Sequence, residues 1–324
     1  MSELRSHIRG VGGYLPQHVL TNQDLAAMVE TSDDWIRERT GIRERHIAEE
    51  GELTSDIAVE ASRLALERAG IAPGEVDLIV LATTTPDQTF PATATAVQAK
   101  LATGEGAAFD VQAVCSGFLF ALATADSMLR QGLFRTALVI GAETFSRIID
   151  WSDRTTCVLF GDGGGAVVMQ AEAGAPGAGG GVIAHHVRTD GTKSGLLYVD
   201  GGVSSTRTIG HVRMQGNKVF KHAVANISSA VQAILDDNGL GPDDIDWFVP
   251  HQANQRILDG VAKKLAIDED RVISTVAEHG NTSAASIPLA LNAAIEDHRV
   301  RPGQLILSEA MGGGFSWGAS LFRI

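Results

Sequence analysis

Two stretches of this chain share a pattern that narrows its fold to one class. ALERAGIAPGEVDLIV in the first half aligns without gaps with ILDDNGLGPDDIDWFV in the second, so that Gly70 matches Gly239 and Pro73 matches Pro242. Each copy predicts a helix that ends at a glycine, a turn that contains proline, and a buried strand. Because the offset is a constant 169 residues, we interpret the two stretches as distant copies of one unit.

The element order after each copy supports duplication over the alternative, that helix–Gly-x-x-Pro–strand is simply a common α/β connection. A strand, the AVCSGF turn, an apolar helix and the strand ALVIGAE correspond to a strand, the HGNTSAAS turn, an apolar helix and the strand QLILSEA. We predict two α/β halves, residues 1–172 and 173–324, joined at AEAGAPGAGGG. Mostly parallel sheets covered by helices would stack as α/β/α/β/α layers, with a shared site where the halves meet.

Composition excludes several classes of function. The chain has 324 residues and a net charge of −13, which disfavours nonspecific binding to nucleic acid. No apolar run could span a bilayer, and the first residues lack the apolar region of a signal peptide. Two distant cysteines form neither a disulfide framework nor a zinc site, and His185 and His186 would face opposite sides of a strand. We therefore predict a cytoplasmic protein without a metal.

Cys115 is the candidate nucleophile. FDVQAV predicts a buried strand and SGFLFALATADSMLRQG an apolar-faced helix, which places this thiol at a helix N-terminus. The free N–H groups and the positive end of the helix dipole there favour a thiolate. The alternative is a buried, inert cysteine. The pattern TTCVLFGDG indicates that Cys157 is an ordinary strand residue without a role. The segment GDGGGA predicts a hairpin turn.

His251, Asn281 and a run of glycines complete the candidate site. His251 follows the strand DWFV, and Asn281 falls at nearly the same place in the second half as Cys115 does in the first. Their alternatives are a structural histidine and an asparagine that caps the helix starting near Ser286. In MGGGFSWGAS, the backbone N–H of Gly313 and that of Cys115 could form an oxyanion hole, although the glycines also suit a tight turn.

The whole chain resembles the β-ketoacyl-acyl carrier protein synthase III family, in motifs that occur in the family's order: TSDDWIRERTGIRERHIA, TTTPDQTFPATA, DVQAVCSGFLFAL, DRTTCVLFGDGGGA, MQGNKVFKHAV, VPHQANQRI, HGNTSAASIP and MGGGFSWGA. The resemblance implies a thiolase-like fold, a homodimer and an enzyme without a cofactor. It implies that Cys115 takes an acyl group, usually acetyl, from acyl-CoA. His251 and Asn281 would then stabilise the enolate that malonyl-acyl carrier protein forms on losing CO2.

The same resemblance assigns residues around this site. Those similar to the family's CoA-binding residues are Thr31, Trp35, Arg39, Arg154 and Arg256, although Trp35 could instead be a core aromatic. Those similar to acyl-pocket positions are Phe90, Phe220, Ala223, Ala253 and Met311. Phe90 would reach the pocket of the second subunit. Many relatives carry Phe where this chain has Met311, so branched or longer primers stay open.

An acidic chain that binds an acidic carrier protein needs a local basic patch. Arg256, Lys263 and Lys264 lie near one face of a predicted helix, and Lys221 could join them. The alternative is a solvated helix face.

Three other functions compete with this interpretation. A related condensing or acyltransfer enzyme of specialised metabolism would share the Cys/His/Asn set. A degradative thiolase would need a second catalytic cysteine near MGGGFSW, which the chain lacks. A non-enzymatic acyl-CoA-binding module would keep the basic nucleotide site but would need no thiol.

Overall fold

The structure, a computed structural model, describes residues 4–173 and 180–324. Residues 174–179 of the predicted seam lie outside the described residues. The described strands are β1 (Leu4–Tyr14), β2 (His18–Thr21), β3 (Glu44–Ile47), β4 (Leu78–Ala82), β5 (Ala107–Val111), β6 (Thr136–Glu143), β7 (Gly163–Ala173), β8 (Val182–Thr189), β9 (Leu197–Val199), β10 (Val212–Met214), β11 (Trp247–Pro250), β12 (Leu305–Gly312) and β13 (Ser316–Arg323). The described helices are α1 (Asn22–Met28), α2 (Asp33–Thr40), α3 (Thr54–Ala69), α4 (Thr93–Leu101), α5 (Gly117–Arg130), α6 (Gly216–Asp237), α7 (Gln255–Leu265), α8 (Val276–His279) and α9 (Ser286–Glu296).

The repeated sequence folds the same way in both halves. Gly70 follows α3 and Gly239 follows the end of α6, with φ of 65° and 64°, in the left-handed region that favours glycine. A short 3-10 turn that begins with proline comes next in each copy, Pro73–Glu75 and Pro242–Asp244. The strands β4 and β11 then start at equivalent positions, which confirms the predicted unit.

A repeated aspartate ties each of these strands to its parallel neighbour. The carboxylate of Asp77 accepts a hydrogen bond from the backbone N–H of Thr136 at 2.9 Å, where β6 begins. The carboxylate of Asp246 accepts one from the N–H of Leu305 at 2.6 Å, where β12 begins. The same side chain therefore fixes the same strand register in both halves.

Strand order confirms the duplication. One sheet has the order β1-β7-β6-β4-β5 and the other has β8-β13-β12-β11. The first sheet has two parallel pairs (β4 with β5 and with β6) and the second has one (β11 with β12), whereas the other pairs are antiparallel. The expectation of mostly parallel sheets is therefore wrong. The second sheet carries only an isolated bridge, between Phe248 and Val272, beside β11.

The helices and sheets form the predicted α/β/α/β/α layers. Helices α3 and α4 cover the outer face of the first sheet, and α6 and α7 cover the outer face of the second. Helices α5 and α9 lie between the sheets, where their Ala- and Leu-rich sides pack on both. The small side chains explain this close approach, because Ala and Gly let helix and sheet backbones come together. Strand β7 ends at Ala173, one residue past the predicted boundary, so the division after residue 172 stays a prediction.

The two central helices begin alike. A 3-10 turn precedes each, Val114–Ser116 before α5 and Ser283–Ala285 before α9. Val114 and Ser283, which lie 169 residues apart, have φ of 50° and 51°. Non-glycine residues seldom adopt this left-handed conformation, which is found where the surrounding structure holds the backbone in place.

Three local expectations are wrong. Strand β5 is only half-buried, because it lies at the edge of its sheet. The glycines from Gly163 to Gly165 belong to β7 and not to a hairpin turn, and they leave room for Ile57 and Pro288. Cys157 lies in a turn and not in a strand, although it is fully buried.

Candidate active site

A cavity of about 350 Å³ brings together residues from both halves of the chain. Cys115 from the first half and His251 and Asn281 from the second all line it. Each of these side chains is buried. The three predicted catalytic groups therefore line one cavity, although Cys115 and His251 are more than 130 residues apart in the sequence.

Cys115 lies in the 3-10 turn that leads into α5, as predicted, but its expected ionisation is wrong for the resting protein. Burial raises the pKa of the thiol to about 12, and the charge of Glu143 acts in the same direction. The Ser283 side chain opposes the shift by favouring the thiolate. Loss of contact with water is the largest influence on this group, so the pKa favours a neutral thiol in the unliganded protein.

Ser283 connects the nucleophile to a buried carboxyl group. Its Oγ is buried and makes no hydrogen bond of standard geometry within the described residues, yet it lies close enough to lower the pKa of both Cys115 and Glu143. Glu143 ends β6 and accepts hydrogen bonds from the hydroxyl groups of Thr84 and Thr85 at 2.8 and 2.7 Å. The thiol thus lies beside a polar network that the sequence did not reveal.

His251 follows β11 and is held at two points. Its backbone N–H donates to the carbonyl of Glu309 at 2.8 Å, and its Nδ1 lies 2.6 Å from Oγ of Ser286. The same Oγ also accepts a long hydrogen bond from the N–H of Gln252 at 3.4 Å. When the hydroxyl donates to Nδ1, the ring carries its hydrogen on Nε2. Burial lowers the pKa of His251 to about 3, so the imidazole is neutral, as predicted.

Asn281 is fixed through its backbone and its carbonyl oxygen. Its N–H donates to the carbonyl of Leu159 at 2.9 Å, and its own carbonyl accepts from Gly161 at 3.0 Å. Its Oδ1 accepts from the N–H of Ser283 at 2.9 Å. The Asn281 side chain therefore caps the 3-10 turn before α9, which is close to the alternative that it caps the helix itself. Its amide Nδ2 keeps two N–H donors for a ligand.

The glycine-rich turn between β12 and β13 approaches the nucleophile closely. A Cβ atom on Gly312 would lie 2.6 Å from the backbone nitrogen of Cys115, so only glycine fits there. Gly313 lines a second cavity, of about 520 Å³, that Val114 also borders. The pairing of the Gly313 and Cys115 amides stays a prediction.

At the predicted nucleotide end, two cationic side chains lie close to one aromatic ring. The guanidinium groups of Arg39 and Arg154 lie 4.5 and 5.2 Å from the ring centre of Trp35. Trp35 and Arg39 line the catalytic cavity, whereas Arg154 and Thr31 do not. Trp35 is half-buried, which fits a ring that can stack on a ligand better than a core aromatic.

Helices α6 and α7 form another wall of the cavity. Arg256 is exposed, lies 5.9 Å from the ring centre of Phe220, and lines the cavity with it. Lys221, Lys263 and Lys264 are exposed outside the cavity.

The predicted acyl-pocket residues divide into two groups. Ala223, Ala253 and Met311 line the same cavity as Cys115, together with Phe220. Phe90 does not line it, and its side chain is 81% exposed. In this chain alone, therefore, Phe90 has no pocket to fill.

Several polar residues of the site were missed from the sequence. Ser283 and Ser286 lie inside the HGNTSAAS turn, so a search for partners of His251 within that motif could have found them. Glu143 ends the apolar strand β6 and Glu309 lies within the apolar strand β12, and a carboxyl group in such a strand is a usable signal. Within residues 4–173 and 180–324, no group of three or more His, Cys, Asp or Glu is placed to hold a metal ion, and no helix is both long and apolar enough for a membrane span.

Comparison with known proteins places the chain among condensing enzymes. The family described as 3-oxoacyl-[acyl-carrier-protein (ACP)] synthase III matches residues 109–191, and its C-terminal counterpart matches residues 235–324. The β-ketoacyl-[acyl-carrier-protein] synthase III of Hyphomonas neptunium is 74% identical over 320 residues, and that of Rhodospirillum centenum is 64% identical over 320 residues, with 99% of each chain covered in both cases. The crystal structure of 3-oxoacyl-[acyl-carrier-protein] synthase III from Aquifex aeolicus VF5 has a TM-score of 0.93 and 45% identity, over 98% of this chain and 100% of that one.

Proposed function

Because the chain belongs to the β-ketoacyl-[acyl-carrier-protein] synthase III family, and so is an acyltransferase that initiates fatty acid synthesis by condensation, we propose how its residues divide the reaction. One observation carries the proposal: a thiol, a neutral imidazole and an asparagine amide line one buried cavity. The chemistry below uses only these groups and the two substrates, so we propose no cofactor and no metal.

In the first half-reaction, Cys115 attacks the thioester carbonyl of a short acyl-CoA. The new bond joins Sγ to the acyl carbon, the bond to the CoA sulfur breaks, and the thiol proton leaves on CoA. The backbone N–H groups of Cys115 and Gly313 would hold the carbonyl oxygen while it carries negative charge. Gly312 supports this role, because its missing side chain is what lets the glycine turn reach the Cys115 amide.

In the second half-reaction, malonyl-acyl carrier protein loses CO2 and its electron pair becomes an enolate. His251 and Asn281 stabilise this enolate, because a neutral Nε2–H and an amide N–H are both hydrogen-bond donors. The enolate carbon attacks the acyl carbon, the bond to Sγ breaks, and the Cys115 thiolate takes up a proton. The product is a 3-ketoacyl thioester on the carrier protein.

CoA would bind with its adenine at Trp35 and Arg154 and its phosphates near the guanidinium groups. Trp35 lines the cavity and is half-buried, which supports stacking of a base on its ring, while the Arg154 guanidinium lies 5.2 Å from the ring centre. Arg39 and Arg256 border the same cavity and can bind phosphate in a bidentate way. Thr31 completes the predicted set, and its buried Oγ1 makes no hydrogen bond within the described residues.

The carrier protein would dock on the exposed face of α6 and α7. Arg256, Lys263, Lys264 and Lys221 supply the positive charge that an acidic partner needs, and all four are exposed. The acyl pocket comprises Phe220, Ala223, Ala253 and Met311. We propose a cytoplasmic homodimer in which Phe90 of a second copy completes this pocket; its 81% exposure supports that role.

Intact-protein mass spectrometry after mixing with acetyl-CoA tests the nucleophile. We expect one acetyl adduct on the wild-type enzyme and none on Cys115→Ser. Absence of an adduct from wild type with every acyl-CoA of a primer panel would overturn the proposal. The same panel, scored by turnover with malonyl-carrier protein, establishes the preferred primer.

The enolate-stabilising roles have their own test. His251→Ala and Asn281→Ala should still form the adduct but should lose about 10²- to 10³-fold in condensation, the usual effect of removing an oxyanion-hole donor. Asn281→Asp is the matched variant, because a carboxylate keeps the shape and loses the donor. Normal condensation by either alanine variant would show that the assigned roles are wrong.

A further inference from the structure

Glu309 is a buried carboxyl group that lines the catalytic cavity and has no hydrogen-bond partner within the described residues. It lies near the end of β12, lines the cavity with Cys115, His251 and Asn281, and is 1% exposed. Its Oε2 is fully buried and makes no hydrogen bond within the described residues. Buried polar atoms are almost always satisfied, so this oxygen indicates a partner that enters the cavity.

The other buried carboxyl groups of the described chain do have partners. Glu143 accepts hydrogen bonds from three threonines, and Asp162 accepts them from Ser146 and the backbone of Ala48. Asp126 lies 3.7 Å from the guanidinium of Arg130, although its Oδ1 also makes no hydrogen bond within the described residues. Glu309 differs from all three in lining the cavity and lacking a partner.

The position of Glu309 relative to His251 is fixed by the sheet. Pro250 and Glu309 pair in register on the parallel strands β11 and β12, and the Glu309 carbonyl accepts the N–H of His251 at 2.8 Å. Glu309 therefore belongs to the side of the cavity that acts on the malonyl unit.

The environment also sets the charge of this group. No cation lies within ion-pair distance of the Glu309 carboxyl among the described residues, and burial raises its pKa to about 8. A neutral carboxyl can donate a hydrogen bond, whereas an ionised one would repel an anionic substrate.

We propose that Glu309, as a neutral acid, donates a hydrogen bond to the carboxylate of the malonyl unit and thereby positions this substrate for decarboxylation. The inference rests on the proposed function, in which the enolate oxygen faces His251 and Asn281. A neutral acid bound to a carboxylate makes a charge-assisted hydrogen bond, which is stronger than a neutral one. This hydrogen bond holds and orients the bound malonyl unit, so we expect its loss chiefly in the KM for this substrate.

The experiment compares Glu309→Leu, which cannot hydrogen bond, with Glu309→Gln, which keeps a neutral donor. Condensation is measured with saturating acetyl-CoA and varied malonyl-carrier protein. We expect the KM for malonyl-carrier protein to rise about tenfold or more in the leucine variant, as for loss of a hydrogen bond to a charged group, with kcat changed by less than about threefold. The glutamine variant should keep a KM within about threefold of wild type.

Two controls isolate the malonyl carboxylate. Holo-carrier protein without a malonyl group should inhibit wild type and Glu309→Leu equally, because it lacks the group that Glu309 binds. Asp126→Asn likewise replaces a buried carboxyl group with an amide, but outside the cavity. This variant should leave KM and kcat unchanged. Acetylation of Cys115, followed by intact mass, should be normal in every variant; if wild type itself were not acetylated, the proposed function would fail separately.

Three results would overturn the inference: an unchanged KM in Glu309→Leu, an equal loss of holo-carrier-protein binding, or a glutamine variant as impaired as the leucine one. If the leucine variant does not fold, Glu309→Asp replaces it. Its carboxyl is one methylene shorter, so the KM should rise while acetylation stays normal, and an unchanged KM there would equally overturn the inference.

Discussion

Nδ1 of His251 lies 2.6 Å from Oγ of Ser286, the first residue of α9. The contact holds the ring, and a hydroxyl that donates to Nδ1 leaves the ring hydrogen on Nε2. The proposed Nε2 donor of His251 therefore depends on a serine that does not line the cavity.

Ser286→Ala should lower the condensation rate about fivefold to tenfold and leave acetylation of Cys115 intact. The loss corresponds to one hydrogen bond of about 1 kcal/mol that keeps Nε2 protonated. Malonyl decarboxylation and adduct mass are the two measurements. Ser228→Ala is the matched control, since Ser228 is also buried but bonds only within α6, to Val224. Equal rates for the two variants would argue against a role in selecting the tautomer.

Gly312→Ala should impair acetylation and lower the melting temperature. The added Cβ would lie 2.6 Å from the backbone nitrogen of Cys115, so the nucleophile turn or the glycine turn must move. Overpacking of this kind costs about 1–3 kcal/mol. Thermal unfolding and the rate of adduct formation are measured together. Gly74→Ala serves as control, because nothing lies within 4 Å of its Cβ position; a melting temperature equal to that of the control would refute the steric reason.

Alkylation of Cys115 by iodoacetamide should accelerate about tenfold per pH unit between pH 7 and 9. Burial holds the pKa of this thiol at about 12, so only a small fraction is thiolate, and that fraction grows tenfold with each unit. Peptide mass mapping separates Cys115 from Cys157. A rate that is already constant from pH 7 upward would mean that the sulfur is ionised at rest, as the sequence suggested.

Replacing Glu309 with Gln should stabilise the protein more at pH 8 than at pH 5. The folded pKa is raised from 4.5 to about 8, so between these values the folded state keeps a proton that the unfolded state has released. The contribution of Glu309 is therefore fully present below pH 4.5 and is lost as the pH rises towards 8, at up to about 1.4 kcal/mol per pH unit. Glutamine does not titrate. Chemical unfolding of both proteins at pH 5 and 8 gives the difference, and a constant difference would contradict the neutral state.

The sequence predicted the scaffold well because repeated local signals specify it. A left-handed glycine, a proline turn and an aspartate that fixes register each act over a few residues, and Gly70 and Gly239 adopt nearly the same φ. The meeting of Cys115 and His251 was also predictable, since both follow strands of the two sheets. The strand expected before HGNTSAAS is wrong, because Asn281 follows helix α8 and, among the described residues, only an isolated bridge at Val272 lies beside β11.

The unpredicted features depend on contacts between distant segments. The raised pKa of Cys115 follows from burial by the second half, which no local helix-dipole argument contains. The half-buried state of β5 follows from its place at the sheet edge. Ser286 and Glu309 became recognisable only when the fold placed one beside His251 and the other in the cavity.

The matched turns at Val114 and Ser283 bear on how such an enzyme could have arisen. In their shared register Cys115 corresponds to Ala284 and Asn281 corresponds to Gln112, so nucleophile and amide occupy different slots of one ancestral turn. The thiol and the amide therefore stand at different positions of two matching turns. The proposed catalytic set is complete only when both halves of the chain are present.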